Sequence, residues 1–486
     1  MTDRDSVLDR LAGWWASTRP VSTESRTVLA DRWAGLPDGV RTPAQLLGRH
    51  AMGCEGTHGV FPKCNLTCTP CYHSADANKV RVDAEHTLTH VEAQMAHLRQ
   101  RRGPRAHAQL IGGEVTLLDP DTHAEALLIM RRHGREPMSF THGDVDEDYL
   151  RELVRSADGT VRLPRVSFAA HLDSLMRGRR GLPRPRSEAE LAPFRREFAE
   201  KFQRLRRDLG IRSYLAHNMT VTPANLDEVA AVVRQCRSLG FSMLSFQPAA
   251  YLGDPRRWRE DLRAATPDAV WAEIERGAGA RLPWQGLQFG DPRCNRTAYG
   301  WRVGERWVPL LDDTDPADLA VRDAFLHRLG GMQVGATPPR VLVPRLLRAL
   351  VANPALFAAA LGWARRAVRR SGGPVSVVRN PPRPLTFVMH NFMDATDVAP
   401  AWALLEEGVL SDDPGVRATQ DRLRACSYTM AHPDTDRLVP ACVQHSVLDP
   451  GENVALRELL PLVDITSGRA TAAATTQQRP EQGARR

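Results

Sequence analysis

At 486 residues the chain exceeds what one compact core usually supports, so a main domain of about 200 residues with additions is expected. Its 42% hydrophobic and 25% charged residues are the balance of a globular, soluble protein, and the net charge of +8 comes from arginines spread along the whole sequence. With no basic run interleaved with aromatics, nucleic acid is not an expected partner.

Residues 1–53 read as a helical extension broken by Pro20, Pro37 and Pro43, with Trp14, Trp15 and Trp33 as apolar anchors. The polar start Met1-Thr-Asp-Arg-Asp5 has the wrong character for a secretory signal. Thr57 to Pro62 is an extended run that leads into Cys64-Asn-Leu-Thr-Cys-Thr-Pro-Cys-Tyr72. Thiolates are soft ligands that iron binds well. Three from Cys64, Cys68 and Cys71 can wrap one corner of a cubane cluster and leave its fourth iron without a protein ligand. A structural zinc loop is the alternative, but zinc sites usually pair Cys-x2-Cys units into a closed set of four. Eight cysteines in all are too few for a disulfide scaffold and fit a reducing, cytoplasmic compartment.

Strand and helix patterns then alternate. Asp83 is the expected N-cap of a helix to about Gln100. Strands follow at 107–111, 137–142, 164–171, 213–221 and 242–247, with helices between them near 124–130, 146–156, 188–209 and 225–239. Together with the strand before the cysteine loop this makes six units over residues 54–250. The pattern predicts an α/β fold with a parallel sheet, best fitted by an open, partial (β/α)6 TIM-like barrel. Chemistry in such folds sits at the carboxyl ends of the strands. There the cysteine loop follows the first strand and Gly112-Gly113-Glu114 the second. Glycines permit close backbone approach, and a carboxylate suits an ammonium group. Ser167, His171 and Asp173 at the fourth strand, Asn218 and Thr220 at the fifth and Gln247 at the sixth are polar candidates for holding a cofactor or substrate. Each could equally cap an element end. Thr141 to Asp144 is similar: His142 and Asp144 could act on a substrate proton, while a satisfied loop histidine is the commoner outcome for such a residue.

The spacing Cys-x3-Cys-x2-Cys followed by Tyr72 resembles the signature loop of the radical S-adenosylmethionine enzymes. The resemblance covers residues 58–250. It implies a [4Fe-4S] cluster on the three cysteines, S-adenosylmethionine on the open iron, and Gly112 to Glu114 against the cofactor's amino group. It places Tyr72 on the adenine side of the loop. It also implies a one-electron donor such as ferredoxin or flavodoxin and hydrogen abstraction from an unactivated carbon by a 5′-deoxyadenosyl radical.

Residues 251–466 read as an α+β extension: connecting helices at 251–263 and 267–275, a hairpin at 301–309, apolar helices at 341–351 and 354–370, and a strand at 385–389. The two apolar helices are each too short for the roughly twenty residues of a membrane span and are expected to cover the core, with a lipid interface or an apolar substrate channel left open. A disordered tail is expected from 467. Cys236 reads as a buried thiol within a helix. Cys294, Cys426 and Cys442, with Cys54 a weaker member, are candidate ligands of an auxiliary iron–sulfur cluster or mononuclear iron. His390 to Ala395 with Cys426 and Cys442 resembles the branch that holds the archaeal tetraether lipid synthases and pterin-modifying methyltransferases. That points to modification or carbon–carbon coupling of a lipid chain. Methylation of a small heterocycle, maturation of a peptide and a non-catalytic metal-binding scaffold are the alternatives.

Overall fold

The computed structural model describes residues 23–263, 266–332 and 339–462; Trp14, Trp15 and the expected tail lie outside them. After helix α1 (Thr23–Ala34) the chain runs β1 (Cys54–Gly56), α2 (Ala84–Arg102), β2 (Ala106–Leu110), α3 (Pro120–Arg132) and β3 (Arg135–Thr141). It continues through α4 (Glu147–Val154), β4 (Arg165–His171), α5 (Ala192–Leu209), β5 (Arg212–Val221), α6 (Val229–Leu239) and β6 (Met243–Pro248). The six strands pair in sequence order and in parallel. Local chemistry sets the helix ends. Asp83 caps α2 by accepting from the His86 amide at 3.0 Å, and Gly103 ends it at φ 86°. Phe198, Ala199, Phe202 and Leu205 form the buried stripe of α5, where Phe202 packs on Phe168 of β4 with ring centroids 5.1 Å apart. Full burial of each such ring is worth about 1.5–3 kcal/mol.

The sheet does not end at residue 250. Beyond α7 (Pro267–Ala278) come β7 (Asn295–Ala298), β8 (Gly300–Val303) and β9 (Arg306–Pro309), then α8 (Pro316–Leu329), α9 (Pro339–Val351), α10 (Pro354–Arg370) and α11 (Pro374–Arg379). Next are β10 (Arg383–Pro384), β11 (Thr386–His390), α12 (Ala395–Glu406), α13 (Pro414–Arg424), β12 (Tyr428–His432), β13 (Arg437–Pro440) and, after a short helical segment, α14 (Asp449–Leu459). β12 joins the sheet beside β1 and β11 beside β6, both parallel, while β13 and β7 finish the margins antiparallel. The order is β13-β12-β1-β2-β3-β4-β5-β6-β11-β7, with β10-β8-β9 a separate antiparallel sheet. Among the described residues the two margins do not pair, so the barrel is open.

Three expectations are corrected. The first strand is Cys54–Gly56, not 57–62, because the Thr57 hydroxyl replaces the ladder: it donates to the Ile111 carbonyl at 2.7 Å and accepts from the Ile111 amide at 2.9 Å. Gly59, at φ 66°, then turns the chain away. Residues 251–263 form two 3-10 turns, Pro255–Arg257 and Glu260–Leu262, since Gly253 takes φ 91° and Asp254 caps the first turn. The apolar helices do not mainly cover the core. Leu356 packs with Leu329 and Met332 in a small cluster of its own, whereas Leu347 is 57% and Val351 82% exposed. No single helix among the described residues is long and apolar enough to cross a membrane; α9 and α10 pass that test only as a pair, bent by 114°.

Beneath the cysteine loop, β1 is tied to β3 by an ion pair with no exposure on either side. Arg135 donates from Nε to Glu55 Oε2 at 2.9 Å and from Nη2 to Oε1 at 3.2 Å. Removing one partner of such a pair strands the other charge. Glu55→Gln is therefore expected to cost about 3–5 kcal/mol, read as a lowered urea midpoint.

Candidate active site

The loop that carries Cys64, Cys68 and Cys71 is held from four directions. The Gly113 amide donates to the Phe61 carbonyl at 2.7 Å and the Glu114 amide to the Lys63 carbonyl at 2.9 Å. Asn78 accepts from the Cys64 amide at 3.2 Å and donates to the Leu66 carbonyl at 3.0 Å. The Thr67 amide donates to the Arg177 carbonyl at 2.9 Å. Arg257, from the turn after β6, donates to the Cys68 carbonyl at 2.9 Å. Asn78, Arg177 and Arg257 were not singled out in the sequence. Only the Gly253-Asp-Pro-Arg-Arg257 turn, one strand end beyond Gln247, offered a signal for the last of them.

Gly112 and Gly113 serve this clamp. A Cβ on Gly113 would stand 2.0 Å from the Lys63 carbonyl oxygen, and one on Gly112 2.6 Å from the Phe61 ring. The close approach that needs glycine is thus to the cysteine loop's own backbone. The Glu114 carboxylate, 1% exposed, accepts from Thr116 N (3.0 Å), Thr116 Oγ1 (2.6 Å), Thr141 Oγ1 (2.7 Å) and His142 N (2.7 Å). It locks the end of β2 to the end of β3. Tyr72 donates to the Gly112 carbonyl at 2.8 Å, with its ring against His73 and His445. His142 is satisfied by Asn65 and the Asp144 amide.

The three thiols lie within electrostatic reach of one another, and burial raises all three, Cys68 to about 12. Left alone they are neutral; a metal replaces the proton. No three potential ligand atoms that include a cysteine sulfur lie within 4.8 Å of one another among the described residues. A single tetrahedral zinc at about 2.3 Å from each sulfur would bring them to roughly 3.8 Å. Among the described residues the three sulfurs are not gathered to that separation. Positive and unpaired polar groups surround the loop. The Arg257 guanidinium lies near Cys68 and Cys71 and that of Arg179 near Cys68. Arg257 Nε, Arg179 Nε, His73 Nδ1 and Gln247 Oε1 are buried without a partner. Two unmet donors, on Arg257 and Arg179, and two unmet acceptors, His73 Nδ1 and Gln247 Oε1, fit an anionic cluster and a polar cofactor.

Of the other candidates, Asp173 is brought to the loop, within electrostatic reach of Cys68 and Cys71. It accepts from His171 Nε2 at 2.6 Å, the Thr220 amide at 2.9 Å and the Leu175 amide at 3.0 Å. Asn218 is opposite His171 and Ser245 in the sheet, and Gln247 donates to Ser245 Oγ at 2.7 Å. Ser167 is not at the mouth. It is the third residue of β4 and pairs with Tyr214 well before the strand ends at His171.

Cys54, Cys294, Cys426 and Cys442 converge at a second place, in the gap between the two sheet margins. Cys426 lies within electrostatic reach of the other three, and Cys294 of Cys442. Arg422 donates to Cys294 Sγ at 3.0 Å and to the Asn391 carbonyl at 3.0 Å, while the Asn391 amide donates to the Cys294 carbonyl at 2.7 Å. Arg102 donates to the Cys54 carbonyl and Arg32 to that of Cys426. Burial pushes the Cys54 and Cys294 thiols up to about 11, and the nearby arginines work in the opposite direction. Cys236 stays apart, fully buried in α6.

No protein-family model and no curated protein matches the chain. Among solved structures, SuiB of Streptococcus suis bound to S-adenosylmethionine aligns over 41% of this chain and 41% of its own, at 13% identity and a TM-score of 0.28. SuiB bound to its precursor peptide SuiA aligns over 42% and 40%, at 13% and 0.28. Hexahistidine-tagged anSMEcpe with bound AdoMet aligns over 46% and 56%, at 15% and 0.30. The chain thus covers 40% to 56% of the length of SuiB and anSMEcpe, and likeness at this level carries no functional inference.

The His171–Asp173 pair gives stability a pH signature. Burial works against both charges, yet each partner outweighs it: His171 is raised from 6.5 and Asp173 lowered from 3.8. The contribution from Asp173 is present above 3.8 and lost as the pH falls through its lowered value. That from His171 is full below 6.5 and lost as the pH rises through its raised value. The difference in urea midpoint between the parent and His171→Gln is therefore expected to be largest near pH 6 and to shrink as the pH is raised toward 9.

Proposed function

We propose that the chain is a radical S-adenosylmethionine enzyme whose Cys64, Cys68 and Cys71 hold a [4Fe-4S] cluster with one iron open to the cofactor. The observation that carries this reading is the triad itself: three half-buried thiols, within electrostatic reach of one another, on a loop clamped at the carboxyl end of a parallel sheet. When bound, cluster and cofactor supply reductive cleavage to methionine and a 5′-deoxyadenosyl radical that takes hydrogen from an unactivated carbon. The chain's part is placement and exclusion of water. Gly112, Gly113 and Asn78 fix the loop, and Glu114 is a positioning residue for the strand end. Arg257 and Arg179 offset the negative charge of the cluster. Asp173, Asn218 and Gln247 are the polar groups available to the cofactor's ribose and carboxylate, and an external donor such as ferredoxin or flavodoxin delivers the electron. Cys68→Ala is expected to abolish both the brown iron–sulfur absorbance and 5′-deoxyadenosine formation from S-adenosylmethionine and dithionite. Zinc without iron in the anaerobically reconstituted protein would favour a metal-binding scaffold instead.

A second iron site belongs to this reading, built from Cys294, Cys426, Cys442 and Cys54. The arginines around it suit an anionic iron–sulfur cluster, with mononuclear iron the alternative. Iron is expected at about eight per chain, and Cys426→Ala is expected to bring it to about four while 5′-deoxyadenosine formation persists.

For the substrate, an apolar lipid chain is supported by the exposed face of α9 to α11, where Val343, Leu347, Val351, Phe357, Val375 and Val378 stand among arginines. That combination suits peripheral contact with an anionic membrane. Methylation of a small heterocycle would instead place a methyl label from S-adenosylmethionine in product, and peptide maturation would appear with candidate peptides.

A further inference from the structure

A group of side chains outside both cysteine sites meets on the far side of Tyr72. His58, two residues past β1, His432 at the end of β12 and Glu452 in α14 bring one ligand atom each to within 4.8 Å of one another. His58 Nδ1 stands 3.1 Å from Glu452 Oε2 and His432 Nδ1 3.7 Å from Glu452 Oε1, with the two imidazoles stacked at 4.0 Å. Ligands about 2.0–2.1 Å from a tetrahedral ion stand roughly 3.4 Å apart, which lies between those two separations.

The surrounding hydrogen bonds decide which ring nitrogens are free. His58 Nε2 lies 2.8 Å from the Ala431 carbonyl, which only accepts, so this nitrogen carries the hydrogen. Gln444 Nε2 lies 2.9 Å from Asp449 Oδ1 and 2.8 Å from Glu452 Oε2. Two carboxylate neighbours orient that amide and use both of its hydrogens. Its oxygen therefore faces His432 Nε2, at 2.5 Å, and makes that nitrogen a donor as well. Both imidazoles therefore turn Nδ1 toward the one Glu452 carboxylate, and Gln444 Nε2 also lies 3.4 Å from His58 Nδ1. A cation between them, a proton on His58 Nδ1 or a metal ion that displaces it, satisfies this contact. Outer hydrogen bonds commonly set the tautomer of metal-binding histidines. Gln444 opens the π-helical turn Gln444–Leu448, an irregularity common at functional sites. The side chains of His58, His432 and Glu452 are 12%, 14% and 30% exposed, so an ion can enter from solvent.

We infer that His58 Nδ1, His432 Nδ1 and Glu452 bind one divalent first-row transition-metal ion, with zinc or ferrous iron the chemistry best suited to two imidazoles and a carboxylate. The remaining coordination position is left to water. The ion would join the exit of β1, the end of β12 and α14 at one point. Gln444 and Asp449 link it to His445, whose Nδ1 lies 2.8 Å from Asp449 Oδ2 and whose ring meets Tyr72 at 4.7 Å. The inference does not depend on what the cysteine loop carries.

Zinc K-edge absorption on the full chain tests it. The protein is reconstituted anaerobically with iron and sulfide, stripped of loose metal and given zinc. One equivalent is expected with a nitrogen and oxygen shell at about 2.0–2.1 Å. Glu452→Gln and His432→Ala are each expected to lose that equivalent while keeping the parent's iron content. Zinc on vacant cysteine sites is told apart by a sulfur shell at about 2.3 Å. A parent protein with no nitrogen and oxygen zinc, or with that zinc retained in Glu452→Gln, would overturn the assignment. Glu452→Gln nearly preserves shape, and the parent measurement needs no variant at all.

Discussion

The contact between Gly113 and Lys63 governs how the rest can be arranged. The end of β2 lies so close to the cysteine loop that a methyl group at residue 113 would meet the Lys63 carbonyl oxygen at 2.0 Å. Two backbone hydrogen bonds, donated by the Gly113 and Glu114 amides, close the same contact. Because β2 is an inner strand, paired on both sides, the loop inherits the rigidity of the sheet. That rigidity is what the proposed cluster would need, since three sulfurs would have to keep their spacing around it. Glu114 extends the same scaffold sideways: a buried carboxylate with four donors fixes β3 to β2 at the level of the loop.

The second organising feature is the way the sheet is finished. Parallel strands β12 and β11 come from the last third of the chain and flank the first six, so sequence order and spatial order part company at both margins. The margins meet through side chains and loops instead of a ladder. Arg422 reaches from α13 to Cys294 Sγ, and a Cβ on Gly290 would stand 2.8 Å from the Ala425 carbonyl oxygen. Four thiols gather along that seam.

Much of this was legible in the sequence for a physical reason. Fully buried parallel strands and amphipathic helices leave strong periodic patterns, and β2 to β6 fall within two residues of their expected bounds. The cysteine spacing and Gly112 to Glu114 are local signals, so they could be read without a fold. What failed depended on contacts between distant residues. The Thr57 hydroxyl ended β1 early by bonding Ile111, 54 residues away. Ser167 sits inside β4, and the expected strand end at His171 already placed it four residues short of the mouth. Asn78 and Arg257 hold the loop from outside its motif. His58 and His432 are ordinary histidines in sequence, 374 positions apart, and only the pairing of β12 with β1 sets them side by side.

The footing of the cysteine loop has a consequence for the order of synthesis. Ser74 is met by Asn453 at 3.2 Å, Asp76 by Arg457 at 3.1 Å, and the Arg81 amide by the Leu460 carbonyl at 2.8 Å, so α14 braces the segment that leaves the loop. Asp76 and Arg457 are 381 residues apart in sequence. A nascent chain therefore displays all three loop thiols long before the ribosome has made the helix that backs them. Until that helix is made the loop lacks its rear support, so its native footing is complete only when the whole chain is present.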